Sequence, residues 1–364
     1  MSKNFIVSTL GLSVVLVLGT VRPAAAQFYT QHNLVSDGAV TADLVDPSLV
    51  NSWGLASSST SPWWVADNGS GLSTLYDGNT GAKIGLTVTV PGAPTGVVFN
   101  ASTGFVVKSG SAEGPARFLF ASEDGTISGW NPGVMATTAV VAVNNSPSGA
   151  VYKGLTIATS AGAEFLYATN FHNGTVDVFD SNFNPVPGGF ADPSIPAGYA
   201  PFGIRAFDNV ILVTYALQDA DKHDDVPGEG HGYIDMFDTA GHLLSRVASK
   251  GQLNSPWGLA LAPSDFGKFS SDLLVGNFGD GRIHAFDPSK KKGHGEFQTR
   301  GPLHSADGPP IMIDGLWALS FGNGSAAGPA NALFFTAGPL AEQHGLFGKL
   351  EVAPRGNSDG SNNR

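Results

Sequence analysis

The feature that most constrains this chain is a pattern it repeats six times. Each unit opens on a glycine set among small and apolar residues: NSWGLA (51–56), APTGVVF (93–99), YKGLTIA (152–158), APFGIRAF (200–207), SPWGLALA (255–262) and IDGLWALSF (313–321). A second apolar strand follows, as WWVAD (63–67), FLFAS (118–122), FLYATN (165–170), VILVTYA (210–216), LLVGN (273–277) and ALFFTA (332–337). A polar turn rich in glycine then leads to a third strand ending on an aromatic and often an Asp, as in LYDG (75–78), VFDSN (178–182) and MFDTAG (236–241). The marker glycines at 54, 96, 154, 203, 258 and 315 recur every 42 to 58 residues, a spacing that suits propeller blades.

Most units carry a fourth strand, among them LTVTV (86–90), AVVAV (139–143), HLLSRVA (242–248) and EFQTRG (296–301). The sixth unit instead runs into the polar VAPRGNSDGSNNR, which has nothing to pack. FYTQHNLV (28–35) is the expected donor of the missing strand, because pairing there closes the ring and removes two exposed sheet edges. Forty-eight glycines, twenty-three prolines and no window of helical periodicity agree with short strands and turns throughout. The expectation is an all-β, six-bladed β-propeller over 27–353, followed by a disordered polar tail over 354–364. A β-sandwich or a seven-bladed ring is the competing arrangement.

Residues 1–26 read as a secretory leader: Lys3, an apolar run from Phe5 to Val21, and Ala24-Ala25-Ala26 for cleavage before Gln27. An uncleaved anchor is the alternative, and no later segment is apolar enough to span a bilayer. Losing Lys3 and Arg22 with the leader takes the formal charge from −11 to −13, which repels nucleic acid and anionic lipid. The chain has no cysteine, so thiol redox chemistry, iron–sulfur clusters and cysteine-bound zinc are excluded. There is also no nucleophile-elbow, zinc-protease, P-loop or dinucleotide motif.

Blade topology says where a site would lie. The loop between strands two and three shares a face with the residue that begins strand one. The residues before the marker glycines are Trp53, Thr95, Lys153, Phe202, Trp257 and Asp314. Trp53, Phe202 and Trp257 are candidate substrate contacts, or else a plug for the channel. The loops bring Asp67-Asn68, Glu123-Asp124, Asn170 with His172-Asn173, Asn277 with Asp280, and Glu342 with His344. Glu123, Asn170 and Asn277 are candidate ligands for a hard divalent cation, calcium foremost, while the Asp-Gly and Asn-Gly pairs suit turns.

The loop QDADKHDDVPGEGHG (218–232) stands apart. It gathers five acids, a lysine and two histidines in a chain that is only 13% charged. It fails as an EF-hand, since Asp224 sits where glycine is required and Gly230 where the bidentate Glu belongs. Asp219, Asp221, Asp224 and Asp225 remain candidate ligands in an irregular site; a solvated, mobile charged flap is the alternative. His172, His223, His231 and His344 all fall on this face, and two or three of them could hold a transition metal.

With the Gly-Leu-Ala openings, the Val-Ala-Asp second strand and the Val-Phe-Asp third strand, the repeat resembles NHL-type six-bladed propellers. NSWGLA (51–56), ATNFHNGTVDVFD (168–180), QDADKHDD (218–225), LLVGNFGDGRIHAFDP (273–288) and IDGLWALSFGNG (313–324) look like a family of secreted bacterial proteins of uncharacterised function. That resemblance implies a fold and no reaction. More distantly, the architecture is similar to gluconolactonase-like and strictosidine synthase-like propellers. The lactonase likeness implies a central divalent ion, for which Glu123, Asn170, Asn277 and Asp314 would be the set here.

The expected protein is therefore a secreted monomer that binds a divalent cation and a small molecule or polymer end on its loop-rich face. As an enzyme it would be a metal-assisted hydrolase or a lyase. Lys153 would then neutralise developing charge, and Asp314 or His172 would move the proton. The rival is a non-catalytic module gripping a protein or glycan.

Overall fold

The computed structural model describes residues 28–293 and 295–354; the leader over 1–26 and the tail beyond Pro354 lie outside the described residues. The described chain contains no α-helix, only two single-turn 3-10 segments among its strands. Six sheets, antiparallel apart from one short strand at the edge of the sixth, are arranged radially as a β-propeller. Their inner strands are Ser52–Ala56, Pro94–Phe99, Tyr152–Ser160, Tyr199–Phe207, Pro256–Leu261 and Leu316–Phe321. Consecutive inner strands adjoin one another, and the sixth adjoins the first, which closes the ring.

The N-terminal strand Tyr29–Ser36 completes the sixth blade. It pairs antiparallel with Leu346–Val352, from Tyr29 opposite Val352 to Ser36 opposite Leu346. Three additions were not read from the sequence, the first a two-residue strand, Leu44–Val45, parallel to Tyr29–Ser36. Blade two carries a side hairpin, Val106–Ser109 with Ala112–Pro115, between its first two strands. Blade three has an outer strand of two residues, Pro185–Val186; proline has no N–H for the ladder, which limits such a strand to an edge.

The core lies between blades rather than within one. Trp64, Leu75, Val88, Phe118 and Trp130, for example, form one cluster shared by blades one and two. The marker glycines are explained by the same packing. A Cβ on Gly54, Gly96, Gly203 or Gly258 would strike the backbone of the next blade's inner strand. The sixth marker was misregistered. Gly315 is a turn glycine at φ +65° whose Cβ would meet Gly338, and the backbone against which Gly258 packs is that of Trp317. The true equivalent of Trp257 in blade six is Trp317, three residues beyond Asp314.

Candidate functional site

Two rings of side chains converge at one mouth of the channel. Every blade has a register irregularity at the start of its inner strand, bracketing Trp53, Thr95, Lys153, Phe202, Trp257 or Trp317. A bulge re-aims a side chain that plain alternation would direct elsewhere, and here it does so once per blade. The second ring follows the last residue of the second strand in five blades, as Asn68, Glu123, Phe171, Phe278 and Gly338; in blade four the matching position is Ala216, within the longer strand Val210–Leu217 and opposite Ala200.

One half of this mouth is aromatic and dry. Trp53 stacks on Trp317 at 3.5 Å between ring centroids, Phe278 stacks on Trp317 at 4.1 Å, and Trp257 meets both tryptophans edge-on. Phe171 and Phe202 complete the cluster. Trp53, Phe202 and Trp317 are at most 2% exposed. They plug the channel, so Trp53 and Phe202 offer a ligand no face; Trp257 is partly exposed and donates its indole N–H to Lys153 O at 3.0 Å.

The other half is polar and centred on Lys153, which is 1% exposed. Its ammonium donates to Glu123 Oε1 and, at 3.0 Å, to Asp224 Oδ1, and it lies 5.2 Å from the Trp53 ring centroid. Burial alone would draw the lysine pKa down; the two carboxylates outweigh it and hold the ammonium above its ordinary range. Glu123 Oε2 accepts from Asn68 at 2.7 Å. The Asn51 amide then reaches both Asn68 Oδ1 at 3.2 Å and Glu342 Oε2 at 2.8 Å, and its Oδ1 accepts the Trp317 indole N–H. Burial pushes the Glu342 carboxyl up, against the pull of the Asn51 donor. His223 Nδ1 lies 2.8 Å from Asp224 Oδ1. For Asp224, burial raises the pKa, but Lys153 and His223 outweigh it and bring it below the usual carboxylate range.

The acidic loop is structured. Asp219 N–H donates to Asp224 O, the Asp219 carboxylate accepts the His223 N–H, and Val226 N–H donates to Leu217 O. Gln218 ties the loop to blade three through Phe171 O at 2.6 Å. Asp224 is thereby carried onto Lys153 as a latch. Asp225 lies partly buried beneath it, with a pKa pushed up to about 6 by burial. The Ser255 hydroxyl stands beside it, yet neither Ser255 Oγ nor Asp225 Oδ2 completes a hydrogen bond.

Of the sequence candidates, the structure brings together Glu123, Lys153 and Asp224, with Asp225 close by. Among the described residues, Glu123, His223 and Asp224 are the one trio of potential metal ligands within reach of one another. Asp219 is engaged in its own turn and Asp221 is exposed, so the four loop aspartates do not converge. Asn170 and Asn277 point away from the axis. Asn170 donates to Asp177 at 3.0 Å and accepts from the Val151 and Asn173 backbone, while Asn277 donates to Gln252 O. The inward positions are one residue later. Asp314 is exposed and accepts from Leu340 N–H. His172 is partly exposed outside the network, and His231 and His344 are bound to Val226 O and Asp37 respectively, so the histidines do not assemble. Sequence reasoning missed Asn51 and Trp317 and read Asn68 as a turn residue, although the one-residue step from Asn170 to Phe171 was open to period-two counting.

No family model matches the chain. By structure it is similar to a streptogramin B lyase, at 13% identity and TM-score 0.51 over 90% of this chain and 98% of that one, a likeness of fold alone. By sequence it is 33% identical over 332 residues to the uncharacterised protein R648 of Acanthamoeba polyphaga mimivirus, covering 87% of this chain and 78% of R648. It is 33% identical over 302 residues to the uncharacterised L690 of the same virus, covering 79% and 77%. Neither relative lends support to a bacterial or secreted character. With that identity sustained over most of both partners, the chain belongs to the same family as R648 and L690.

Proposed function

We propose that the protein binds a small molecule or polymer end at the Lys153 mouth, and that any reaction there is a lyase or hydrolytic cleavage beside a carbonyl. One observation carries the reading: an ammonium 1% exposed, held between carboxylates from two other blades under a latched acidic loop. Burying an ammonium with the largely covered Glu123 carboxylate, under the exposed Asp224, is costly, and groups perturbed in this way cluster at functional sites. Lys153 stays charged, so its role is to stabilise negative charge developing on a substrate oxygen. Asp225 is the proton-transfer group, because a carboxyl titrating near 6 exchanges protons at working pH. The fold is shared with a streptogramin B lyase, which is consistent with lyase chemistry on this scaffold and assigns no residue. Secretion after cleavage at Ala26 belongs to the same proposal, and N-terminal sequencing of exported protein tests it.

A divalent cation enters this proposal under one condition. Glu123 and Asp224 already accept from Lys153, so calcium held by Glu123, His223 and Asp224 must compete with the ammonium. Thermal shift with calcium, and again with EDTA, separates the cases. Wild-type stabilisation by calcium supports a resident ion. Stabilisation only in Lys153→Met shows that the ammonium stands in the ion's place. No shift in either protein ends the metal reading. A screen of lactones, esters and cyclic depsipeptides should find turnover that falls at least a hundredfold in Lys153→Met and Asp225→Asn; a substrate cleaved equally by all three proteins would remove this site from the chemistry.

A further inference from the structure

At the opposite end of the channel the inner strands open around a second cavity, of about 460 Å³, lined by blades one to six. The aromatic plug separates it from the Lys153 network, with Trp257 as part of its lining. The walls mix apolar side chains, including Val98, Phe99, Ile157, Leu259 and Phe321, with neutral polar ones such as Ser58, Thr156 and Asn323. Among the lining residues a single side chain is charged, Arg205. Its Nη1 donates to Leu319 O at 3.0 Å and its Nη2 to Ser320 Oγ at 3.1 Å, so that blade four reaches blade six.

Both acceptors are neutral. Arg246, Arg282 and Arg300 each meet a carboxylate, whereas among the described residues Arg205 meets none. A guanidinium offers five N–H donors, and two are used here. Burial without a countercharge draws its pKa down to about 10. A net acidic protein could supply a carboxylate to this arginine and does not. A partly buried cation that no carboxylate balances keeps an uncompensated desolvation cost, and a bound anion offsets it.

We propose that this lower cavity binds a small organic carboxylate, its head group paired with the Arg205 guanidinium and its apolar body against the blade walls. The chamber falls within the size range of small-molecule sites, and apolar wall segments beside a few polar groups that orient the ligand are the composition such sites use. The planar fork of arginine matches a carboxylate. A phosphate or sulfate would leave the walls unmatched and would have one cation for its charge.

The test is calorimetric titration of the full chain with butyrate, octanoate and phenylacetate. Butyramide and phenylacetamide serve as neutral counterparts and inorganic phosphate as an anion without an apolar body. Octanoate and phenylacetate should bind at least tenfold more tightly than the amides and than phosphate. Arg205→Met should abolish that preference, and Arg205→Lys should keep part of it. Arg205→Met removes a partly buried cation that no carboxylate balances, together with its bonds to Leu319 O and Ser320 Oγ; its unfolding temperature, measured beside the wild type, separates lost binding from lost structure. Lys153→Met, at the far mouth, should bind carboxylates as the wild type does. No carboxylate binding, equal binding of acids and amides, preferential binding of phosphate, or carboxylate binding retained in Arg205→Met would each overturn the proposal.

Discussion

At the scale of single residues, the site is a balance between burial and countercharge, and Asp225 shows the side of the balance left uncompensated. Its carboxyl is pushed to about 6 by burial, although Lys153 pulls the other way. An unfolded Asp titrates near ~3.9. A pKa raised in the folded state means that folding favours the protonated form. Its contribution is fully present below about pH 4 and is lost as pH rises through about 6. The shift of about two units corresponds to at most ~3 kcal/mol. Asp225→Asn should therefore gain stability over the wild type between pH 4 and 6.5, and the difference should be flat on either side. Urea denaturation of both proteins from pH 4 to 8 measures it; parallel curves would show that Asp225 is better solvated than its geometry indicates. None of this was legible from the sequence. The stretch 218–225 announces charge, but which of four aspartates is turned inward depends on a turn closed by Asp219 and on Asp224 reaching Lys153.

At the scale of elements, the repeat pattern was enough to place strands, loops and the shared face. It was not enough to set side-chain direction to the nearest residue. Asn170 and Asn277 were expected over the channel, and the inward positions are Phe171 and Phe278. A one-residue step in a strand exchanges faces, so a small error in register inverts the conclusion. Asp314 failed differently: Gly315 imitates the marker glycine, while the packing position belongs to Ala318 after Trp317. The closing strand was legible because an incomplete blade leaves an edge that must be covered. Its anchor is Tyr29, fully buried, with its hydroxyl donating to Phe266 O at 3.0 Å and its ring against Phe266 and Phe269. Tyr29→Ala should cost ~3–5 kcal/mol, as for other large aromatic truncations in cores. Tyr29→Phe should cost ~1 kcal/mol for the hydroxyl bond. A loss below ~1 kcal/mol for Tyr29→Ala in equilibrium denaturation would mean that the ring is held without this strand's anchor.

At the scale of the whole molecule, the question is whether the seam closed by non-consecutive parts of the chain is as strong as the others. The structure answers with the same device at three of the six junctions, the closing one among them. Thr169 of blade three donates to Phe202 O at 2.7 Å, and Thr214 of blade four donates to Pro256 O at 2.5 Å. Thr336 of blade six donates to Trp53 O of blade one and accepts the Ala318 N–H at 3.1 Å. All three threonines are fully buried, so each hydroxyl serves a backbone oxygen where its own exposure to water is nil. Thr→Val keeps the shape and removes the hydroxyl, which leaves a buried acceptor unpaired at a cost of ~1–3 kcal/mol. If radial closure makes the junctions equivalent, Thr169→Val, Thr214→Val and Thr336→Val should lower stability by amounts within ~1 kcal/mol of each other. Each variant should still unfold in one transition, because every blade shares its core with its neighbours. A near-neutral Thr336→Val beside costly Thr169→Val and Thr214→Val would identify the blade six to blade one seam as weak. An early transition confined to that variant would locate the opening there, and the propeller would then be better described as five firmly joined blades and one that docks last.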